Sequence, residues 1–280
     1  LSQVLEAPAN LGAAALASLL VGGLALSAST LHLGRPVHAY RAVRMWRRSW
    51  LSREVLLFSI FSMVAGVYAA MLWLGVPGGS AVGAVTAAIG IAGVTASACI
   101  YRVPSRPSWN TPYTLLQFNL TAGILGPLFA AVVGGGDFRW VAAGAATMAG
   151  AQFVLLALAL FRCVSSDSLE LRGTARLLST VLARPLLVRG VLLALGAIVL
   201  PLVAGGAGPD VGPAKAGHYV LPLGLAAFDF AQAGEAGHYV LPLALVLAVA
   251  GEILGRYLFF VSAVPKHLAT PYIASAGGAA

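Results

Sequence analysis

Long apolar runs constrain the possible fold of this protein more than any other feature. Segments of about 20 mainly apolar residues are long enough to cross a bilayer as helices. Seven are present, at 11–31, 55–76, 81–101, 113–134, 140–162, 186–206 and 239–261. Of the 280 residues only 9% are charged, whereas soluble domains average about 25%. The sequence therefore predicts an all-α integral membrane protein, with residues 1–280 forming a single bundle of seven transmembrane helices.

Small residues are frequent inside these runs, as in "AVGAVTAAIGIAGVTASA" at 81–98. Gly, Ala, Ser and Thr allow the backbones of neighbouring membrane helices to approach closely. We therefore expect the bundle to be compact.

Basic residues are concentrated in alternate connections between the runs. Six arginines lie in 32–54, two in 102–112 and four in 162–185, and Lys266 follows the last run. The other connections together carry two basic residues. Because basic loops are retained in the cytoplasm, this pattern predicts that the three arginine-bearing connections and the C-terminus are cytoplasmic. Docking of an acidic partner is a second explanation for the arginines, and the two are compatible.

The octapeptide "AGHYVLPL" occurs at 216–223 and again at 236–243. Repeat architectures contain at least three degenerate copies, so two identical copies indicate a recent duplication. The sequence predicts an inserted loop at 207–238, because the piece between the copies is too short and too polar to span. His218 and His238 belong to the copies, and we expect no metal there, since short histidine-bearing loops rarely form a site.

His32 ends the first apolar run and Glu54 precedes the second. Because one connection joins the two runs, both residues are expected at the same face of the membrane. A titratable histidine and a carboxylate at that level suit a ligand that exchanges protons together with electrons, such as a quinone. The alternative is that His32 caps a helix C-terminus and that Glu54 neutralises neighbouring arginines.

Glu252 and Arg256 lie four residues apart in the last run, which places opposite charges on one helix face. They form either a structural ion pair, which lowers the cost of both charges in a membrane, or part of a proton path. Trp109 lies in the proline-broken connection 101–114. It forms one wall of an interfacial pocket or anchors the next span at the headgroup level.

The five histidines all lie outside the middle of the apolar runs, so the axial pair that b-type haem needs is missing and no haem is expected. Nucleotide-binding fingerprints and cysteine clusters are also absent from the sequence. A small-solute or ion transporter is an alternative function. The sequence shows neither symmetry between its halves nor a charged cluster at mid-depth, and such features are typical of transporters.

Three stretches of the sequence resemble one known family. They are "LHLGRPVHAYRAVRMWRRSWLSREV" (31–55), "IYRVPSRPSWNTPYTLLQFNLTAGILGPL" (100–128) and "AGEILGRYLFF" (250–260). Through these stretches the protein resembles the membrane anchor subunit of the dimethyl sulfoxide reductase family, within the wider group of NrfD-like quinone-reactive anchors. The resemblance implies an eight-helix bundle without haem, in which the eighth span would precede residue 1.

The resemblance also implies that the protein is one subunit of an oxidoreductase complex rather than an enzyme alone. It would bind quinone or quinol (menaquinone or ubiquinone) and exchange electrons with an iron–sulfur subunit, in anaerobic or sulfur-linked respiration. Such a complex also includes a molybdopterin catalytic subunit, and molybdopterin and iron–sulfur clusters belong only to the partners. Neither a metal in this subunit nor a nucleic-acid partner is expected, and the expected location is the bacterial cytoplasmic (inner) membrane.

In the family, the histidine of His-Leu-Gly and the glutamate of Leu-Ser-x-Glu are associated with menaquinol binding, and here they are His32 and Glu54. His32 would hydrogen-bond a quinone oxygen, Glu54 would relay protons or maintain the polarity of the pocket, and Gly34 would permit a close backbone approach. The basic connection would form a platform for the iron–sulfur partner on the cytoplasmic side. Five of its six arginines are expected to dock the partner, namely Arg35, Arg41, Arg44, Arg47 and Arg48.

Overall fold

The computed structural model describes residues 11–31, 43–134, 139–206 and 233–266. These residues form nine α-helices and one π-helical segment, and no strand occurs among them. In sequence order they are α1 (Leu11–Leu31), α2 (Trp50–Trp73), α3 (Gly79–Ile100), α4 (Pro112–Gly134), α5 (Arg139–Val164), α6 (Leu169–Ser179), α7 (Ala183–Leu193), the π-helical segment Ala194–Val199, α8 (Leu200–Gly206) and α9 (Ala233–Val261).

Seven spans are long and apolar enough to cross a membrane. Helices α1 to α5 and α9 each supply one, and α7, the π-helical segment and α8 together form another. Only α6 is a short helix within a connection. The prediction of an all-helical membrane protein with seven spans in this sequence is confirmed.

Helix α2 begins five residues before the apolar run at 55–76, at Trp50. Ser49 caps the helix, since its side-chain oxygen accepts a hydrogen bond from the backbone nitrogen of Ser52 at 3.4 Å. A count of apolar residues misses this first turn because it contains Ser52 and Arg53. As a result Glu54 lies inside the helix rather than in the connection before it.

The sixth span changes its helical pitch in the middle. Pro201 has no N–H for the carbonyl one turn earlier, and its ring crowds that carbonyl. The backbone forms a π-helical segment just before it, at Ala194–Val199. Within this segment Gly196 packs directly on the backbone of α9, where a Cβ atom would lie 2.7 Å from the carbonyl oxygen of Ala244.

Small residues bring the helices together, as expected. On α3, a Cβ at Gly90 would lie 3.1 Å from the Phe61 ring and one at Gly93 would lie 3.2 Å from the Phe58 ring, so α2 and α3 interlock. The innermost core lies between α4, α5, the π-helical segment and α9. Its fully buried residues are Ile124, Leu128, Ala145, Ala149, Ala197 and Ala248.

The arginine-bearing connections meet at one end of the bundle. The backbone nitrogen of Lys266 donates to the carbonyl of Ser105 at 2.9 Å, and that of Val264 donates to the Thr174 hydroxyl at 3.4 Å. The segment after α9 therefore contacts both the α3–α4 connection and α6. We call this end of the bundle, with the turn before α2, the arginine-bearing face.

The predicted inserted loop at 207–238 lies outside the described residues as far as position 232. Residues 233–238 are the first turns of α9. The second copy of the octapeptide, at 236–243, therefore lies within α9.

Candidate functional site

Glu54 lies at the arginine-bearing end of α2, where the preceding turn is tied to the helix. Arg53 makes this tie, because its guanidinium donates through Nε to the carbonyl of Trp46 and through Nη2 to the carbonyl of Arg47, both at 2.9 Å. The same guanidinium lies over the Trp50 ring, 4.3 Å from its centroid, in a cation–π contact. Glu54 itself is half-buried, so its carboxylate is held at the edge of the bundle.

Tyr101, which follows α3, lies within electrostatic range of Glu54. Burial raises the pKa of the Tyr101 phenol above its ordinary value of 10.0, the charge of Glu54 raises it further, and Arg256 lowers it. The phenol is therefore protonated at neutral pH and is able to donate a hydrogen bond. Four aromatic rings surround it with centroids 5.4–5.8 Å away, those of Trp109, Phe118, Phe259 and Phe260.

Trp109 fastens the α3–α4 connection to the end of α9. Its indole nitrogen donates to the carbonyl of Phe259 at 2.8 Å, and the two rings stack with centroids 5.1 Å apart. Arg106 lies over the Trp109 ring and donates to the carbonyl of Ala263 at 2.9 Å. Because the last carbonyls of a helix have no partner within it, these bonds complete the end of α9. The contacts favour the anchor interpretation of Trp109 over the pocket wall.

A cavity of about 290 Å³ lies between α2, α3, α4 and α9, beside the start of α2 where Glu54 lies. Phe58 lines it and follows Glu54 by four residues, so both project from the same face of α2. The volume is near the lower limit of about 300–1,000 Å³ that is usual for small-molecule sites. Most of the lining is apolar, and the full set is Phe58, Val94, Ser97, Phe118, Thr121, Ala122, Leu125 and Arg256.

The cavity ends at a buried polar cluster, which comprises Thr121, Gln152, Arg189, Glu252 and Arg256. Glu252 is only 4% exposed. Its Oε2 accepts from the Thr121 hydroxyl at 2.7 Å, and its Oε1 accepts from Gln152 Nε2 at 2.8 Å. Arg256 donates through Nη2 to Thr121 Oγ1 at 3.4 Å, and its guanidinium lies 3.4 Å from the centroid of the Phe118 ring. The Thr121 hydroxyl thus links the two charged residues.

Arg189 adds a second guanidinium to the buried polar cluster from α7. It is 3% exposed and lies against Gly255, where a Cβ atom would come within 2.5 Å of Arg189 Nε. Within the part of the protein that the structure describes, Nε and Nη2 of Arg189 and Nη1 of Arg256 have no hydrogen-bond partner. Arginine keeps its charge in proteins, so two positive charges accompany one carboxyl group, that of Glu252.

The expectation that the protein lacks a charged cluster at mid-depth is wrong. Glu252 lies nine residues before the end of α9, about 14 Å along its axis, and Gln152 lies twelve before the end of α5, about 18 Å. The spacing of Glu252 and Arg256 marks only part of the cluster, because Thr121, Gln152 and Arg189 each come from a different helix. The available signal was Gln152 and Arg189 themselves, since polar groups inside spans are costly and therefore informative.

The structure brings several of the predicted site residues to one region. Glu54 lies beside the cavity, and Trp109 contacts the rings of Tyr101 and Phe259 next to it. Arg256 lines the cavity, and the Thr121 hydroxyl links it to Glu252. The predicted residues His32, Gly34, Arg35 and Arg41 lie outside the described residues. Three arginines of the predicted partner platform are described and exposed in the turn before α2, namely Arg44, Arg47 and Arg48.

These features define a helical, multi-span membrane protein with an interfacial carboxylate, a small cavity and buried charges beneath it. The family model for the DMSO reductase anchor subunit (DmsC) matches residues 8–165, more than half of the sequence. The protein belongs to this family, as its resemblance to the dimethyl sulfoxide reductase anchors predicts.

Three curated relatives agree with this assignment. The protein is 29% identical over 250 residues to the YnfH subunit of anaerobic dimethyl sulfoxide reductase of Escherichia coli, which covers 86% of this sequence and 78% of the relative. It is 34% identical to the C subunit of sulfite dehydrogenase of Allochromatium vinosum, covering 40% and 38%. It is 35% identical to the C subunit of anaerobic dimethyl sulfoxide reductase of Haemophilus influenzae, covering 38% and 39%. No solved structure matches the protein significantly.

Proposed function

We propose that this anchor subunit binds quinone or quinol and exchanges electrons with an iron–sulfur subunit of a molybdopterin oxidoreductase complex. The complex lies in the bacterial inner membrane and serves anaerobic or sulfur-linked respiration. The names of the relatives, which are subunits of dimethyl sulfoxide reductase and sulfite dehydrogenase, support an oxidoreductase assembly.

The observation that carries the proposal is the cavity beside Glu54. Its lining residue Phe58 follows Glu54 by one helical turn on the same face of α2, its walls are mainly apolar, and it has few polar groups. A quinone head is a flat apolar ring with polar oxygens, so apolar walls with a few polar groups suit it. An acid–base group at the rim suits a ligand that loses protons when it is oxidised.

The predicted roles of the rim residues are part of the proposal. Glu54 accepts a proton from the outer ring oxygen of the quinol, His32 forms a hydrogen bond with a quinone oxygen, and Gly34 permits a close backbone approach. Arg53 positions Glu54, because it ties the preceding turn to α2. The exposed arginines of that turn provide a basic surface for the iron–sulfur subunit, which would place its cluster on the same side as the quinone.

The arginine-bearing face is proposed to be cytoplasmic. Its connections carry most of the basic residues of the protein, and such loops are retained in the cytoplasm during membrane insertion. The hydrogen bonds of Lys266 to Ser105 and of Val264 to Thr174 support a common side for these connections.

Purification and turnover together test the proposal. A tag on this subunit should recover two larger proteins, molybdenum and iron from membranes, and the complex should oxidise a menaquinol analogue. Glu54→Gln should lower the turnover at least tenfold without changing the assembly, because acid–base groups contribute about 10²–10⁴-fold. Asp167→Asn is the control, since it neutralises an exposed carboxylate on the same face. A protein that purifies alone and without metal would contradict the proposal.

The buried polar cluster is the one observation that favours the alternative of a transporter, because charges inside spans often mark transport pathways. Flux measurements on the purified protein in liposomes separate the two functions. The anchor function predicts no more solute or ion flux than in empty liposomes. Saturable flux would establish transport instead.

A further inference from the structure

We propose that the buried polar cluster forms a second end of the quinone cavity, where it binds the quinone ring and exchanges a proton with it. In this inference, which rests on the proposed function, Arg256 donates to the inner ring oxygen and Glu252 exchanges its proton through Thr121. Quinone oxygens lie on opposite sides of the ring. A ring that presents one oxygen to Glu54 therefore presents the other toward the interior of the bundle.

Arg256 has the position and the free donor that such a contact needs. It lines the cavity, and its guanidinium is held against the Phe118 ring 3.4 Å from the centroid. Its Nη2 is used by Thr121, whereas its Nη1 has no partner among the described residues. A buried hydrogen-bond donor in an apolar cavity strongly favours the binding of a ligand with an acceptor atom, because an unpaired donor costs free energy.

The charge of the cluster makes Arg256 available for a ligand. Glu252 is the only carboxylate among the described residues of the cluster, and Arg189 alone would balance it. The guanidinium of Arg256 is therefore not needed to neutralise Glu252. Surplus positive charge inside a membrane is costly, and the electron-rich oxygen of a quinone reduces that cost.

Thr121 provides a short route for the proton between the cavity and Glu252. Its hydroxyl donates to Glu252 Oε2 at 2.7 Å and accepts from Arg256, so it lies between the cavity and the carboxylate. The charged groups that face Glu252 are Arg256 on its own helix and Arg189 from α7, while α4 and α5 contribute the uncharged Thr121 and Gln152.

With these roles, the oxidation of quinol is balanced in protons and electrons. Two electrons leave for the iron–sulfur subunit, and both O–H bonds of the ring break. The outer proton goes to Glu54 at the rim. The inner proton passes to the Thr121 oxygen as the hydroxyl proton of Thr121 moves to Glu252, and the product is the quinone. Reduction of quinone follows the same path in reverse.

Binding of heptyl-hydroxyquinoline N-oxide, a fluorescent quinol analogue, tests the role of Arg256 without turnover. Arg256→Gln should weaken its Kd in the assembled complex by about 10- to 100-fold, the value of one hydrogen bond to a charged group. The fold should persist because Arg189 still balances Glu252 in this variant. An unchanged Kd for Arg256→Gln, with binding lost in Glu54→Gln, would overturn the inference and leave the proposed function standing.

Turnover of Thr121 variants tests the proton route. Thr121→Val should lower kcat about tenfold or more and flatten the pH profile of kcat. The Kd of the analogue should change by less than about threefold in this variant. Thr121→Ser should restore both kcat and its pH profile. The matched control is Thr147→Val, since Thr147 is lipid-exposed and its hydroxyl donates to the carbonyl of Ala143 one turn earlier, as the Thr121 hydroxyl can donate to that of Gln117. Glu252→Gln should reproduce the Thr121→Val result.

Two outcomes separate the inference from the proposed function. If Thr121→Val and Thr147→Val give the same kcat and pH profile, the route through Thr121 is wrong, whatever Glu252→Gln does. If the wild-type complex itself fails to bind the analogue, the proposed function fails together with the inference.

Discussion

Single polar atoms are informative in this bundle because a membrane interior offers no water to satisfy them. Glu252 has both oxygens occupied, one by Thr121 and one by Gln152. The proximity of Glu252 and Arg256 was predictable from the sequence, because residues four apart lie on the same face of a helix. Thr121 was not readable as their link, since its hydroxyl comes from another helix, 131 positions away from Glu252.

The pKa of Tyr101 depends on the charge of Glu54. Burial and Glu54 raise its pKa, so the folded protein holds the phenol proton more tightly than the unfolded state does. The resulting stabilisation is complete below the ordinary pKa and is lost as the pH rises through the raised value. Glu54→Gln should therefore lower the pKa of Tyr101 toward 10.0. NMR titration of tyrosine labelled at Cζ, assigned with Tyr101→Phe, measures it, and an unchanged titration in Glu54→Gln would show that the two residues do not interact.

Trp109 should contribute to stability more than to quinol binding. Trp109→Phe keeps an aromatic ring against Phe259 but leaves the Phe259 carbonyl without its donor, which should lower the stability by about 1–3 kcal/mol. A lower thermal midpoint of the detergent-solubilised complex, with the KM for quinol unchanged, is the expected result. A raised KM at unchanged stability would instead make Trp109 a wall of the pocket.

At the scale of elements, the ends and irregularities of helices depend on features that hydropathy does not weigh. The spans were predictable because a run of apolar residues needs no knowledge of its neighbours. The start of α2 depended on the Ser49 cap, and the π-helical segment depended on Pro201 together with the close packing of Gly196 on α9. The cap is a local contact over three residues that a count of apolar residues ignores, whereas the contact of Gly196 exists only after the helices have packed.

Substitution of Gly196 tests the packing of the π-helical segment on α9 most directly. An alanine there would overlap the backbone nitrogen of Ala248 and crowd the carbonyl of Ala244, so the π-helical segment would have to move away from α9. Gly196→Ala should destabilise the protein by about 1–3 kcal/mol or more, seen as a lower thermal midpoint. Gly150→Ala is the matched control, because no atom lies within 4 Å of its added Cβ and alanine is the better helix former. Equal midpoints for the two variants would show that α9 does not pack as described.

At the scale of the whole molecule, the proposed function depends on the order of groups from the arginine-bearing face into the bundle. The exposed arginines of the turn before α2 come first, followed by Glu54, the cavity and the buried polar cluster. The sequence predicted the arginine-rich end and its neighbouring acid–base residues, since charge asymmetry is a property of composition. It did not predict the cavity or the depth of the cluster, because each is formed by four helices, and α9, which contributes to both, lies far from the others in the sequence.

Photoaffinity labelling most directly tests whether the cavity holds a quinone. The assembled complex is irradiated with an azido-quinone, and the labelled residues are mapped by mass spectrometry. We expect label on the cavity-lining segments of α2 and α4, at or beside Phe58 and Phe118, and excess unlabelled quinol should prevent it. Label confined to lipid-facing residues of α2 such as Met63 and Val67, and unaffected by excess quinol, would contradict the proposed site.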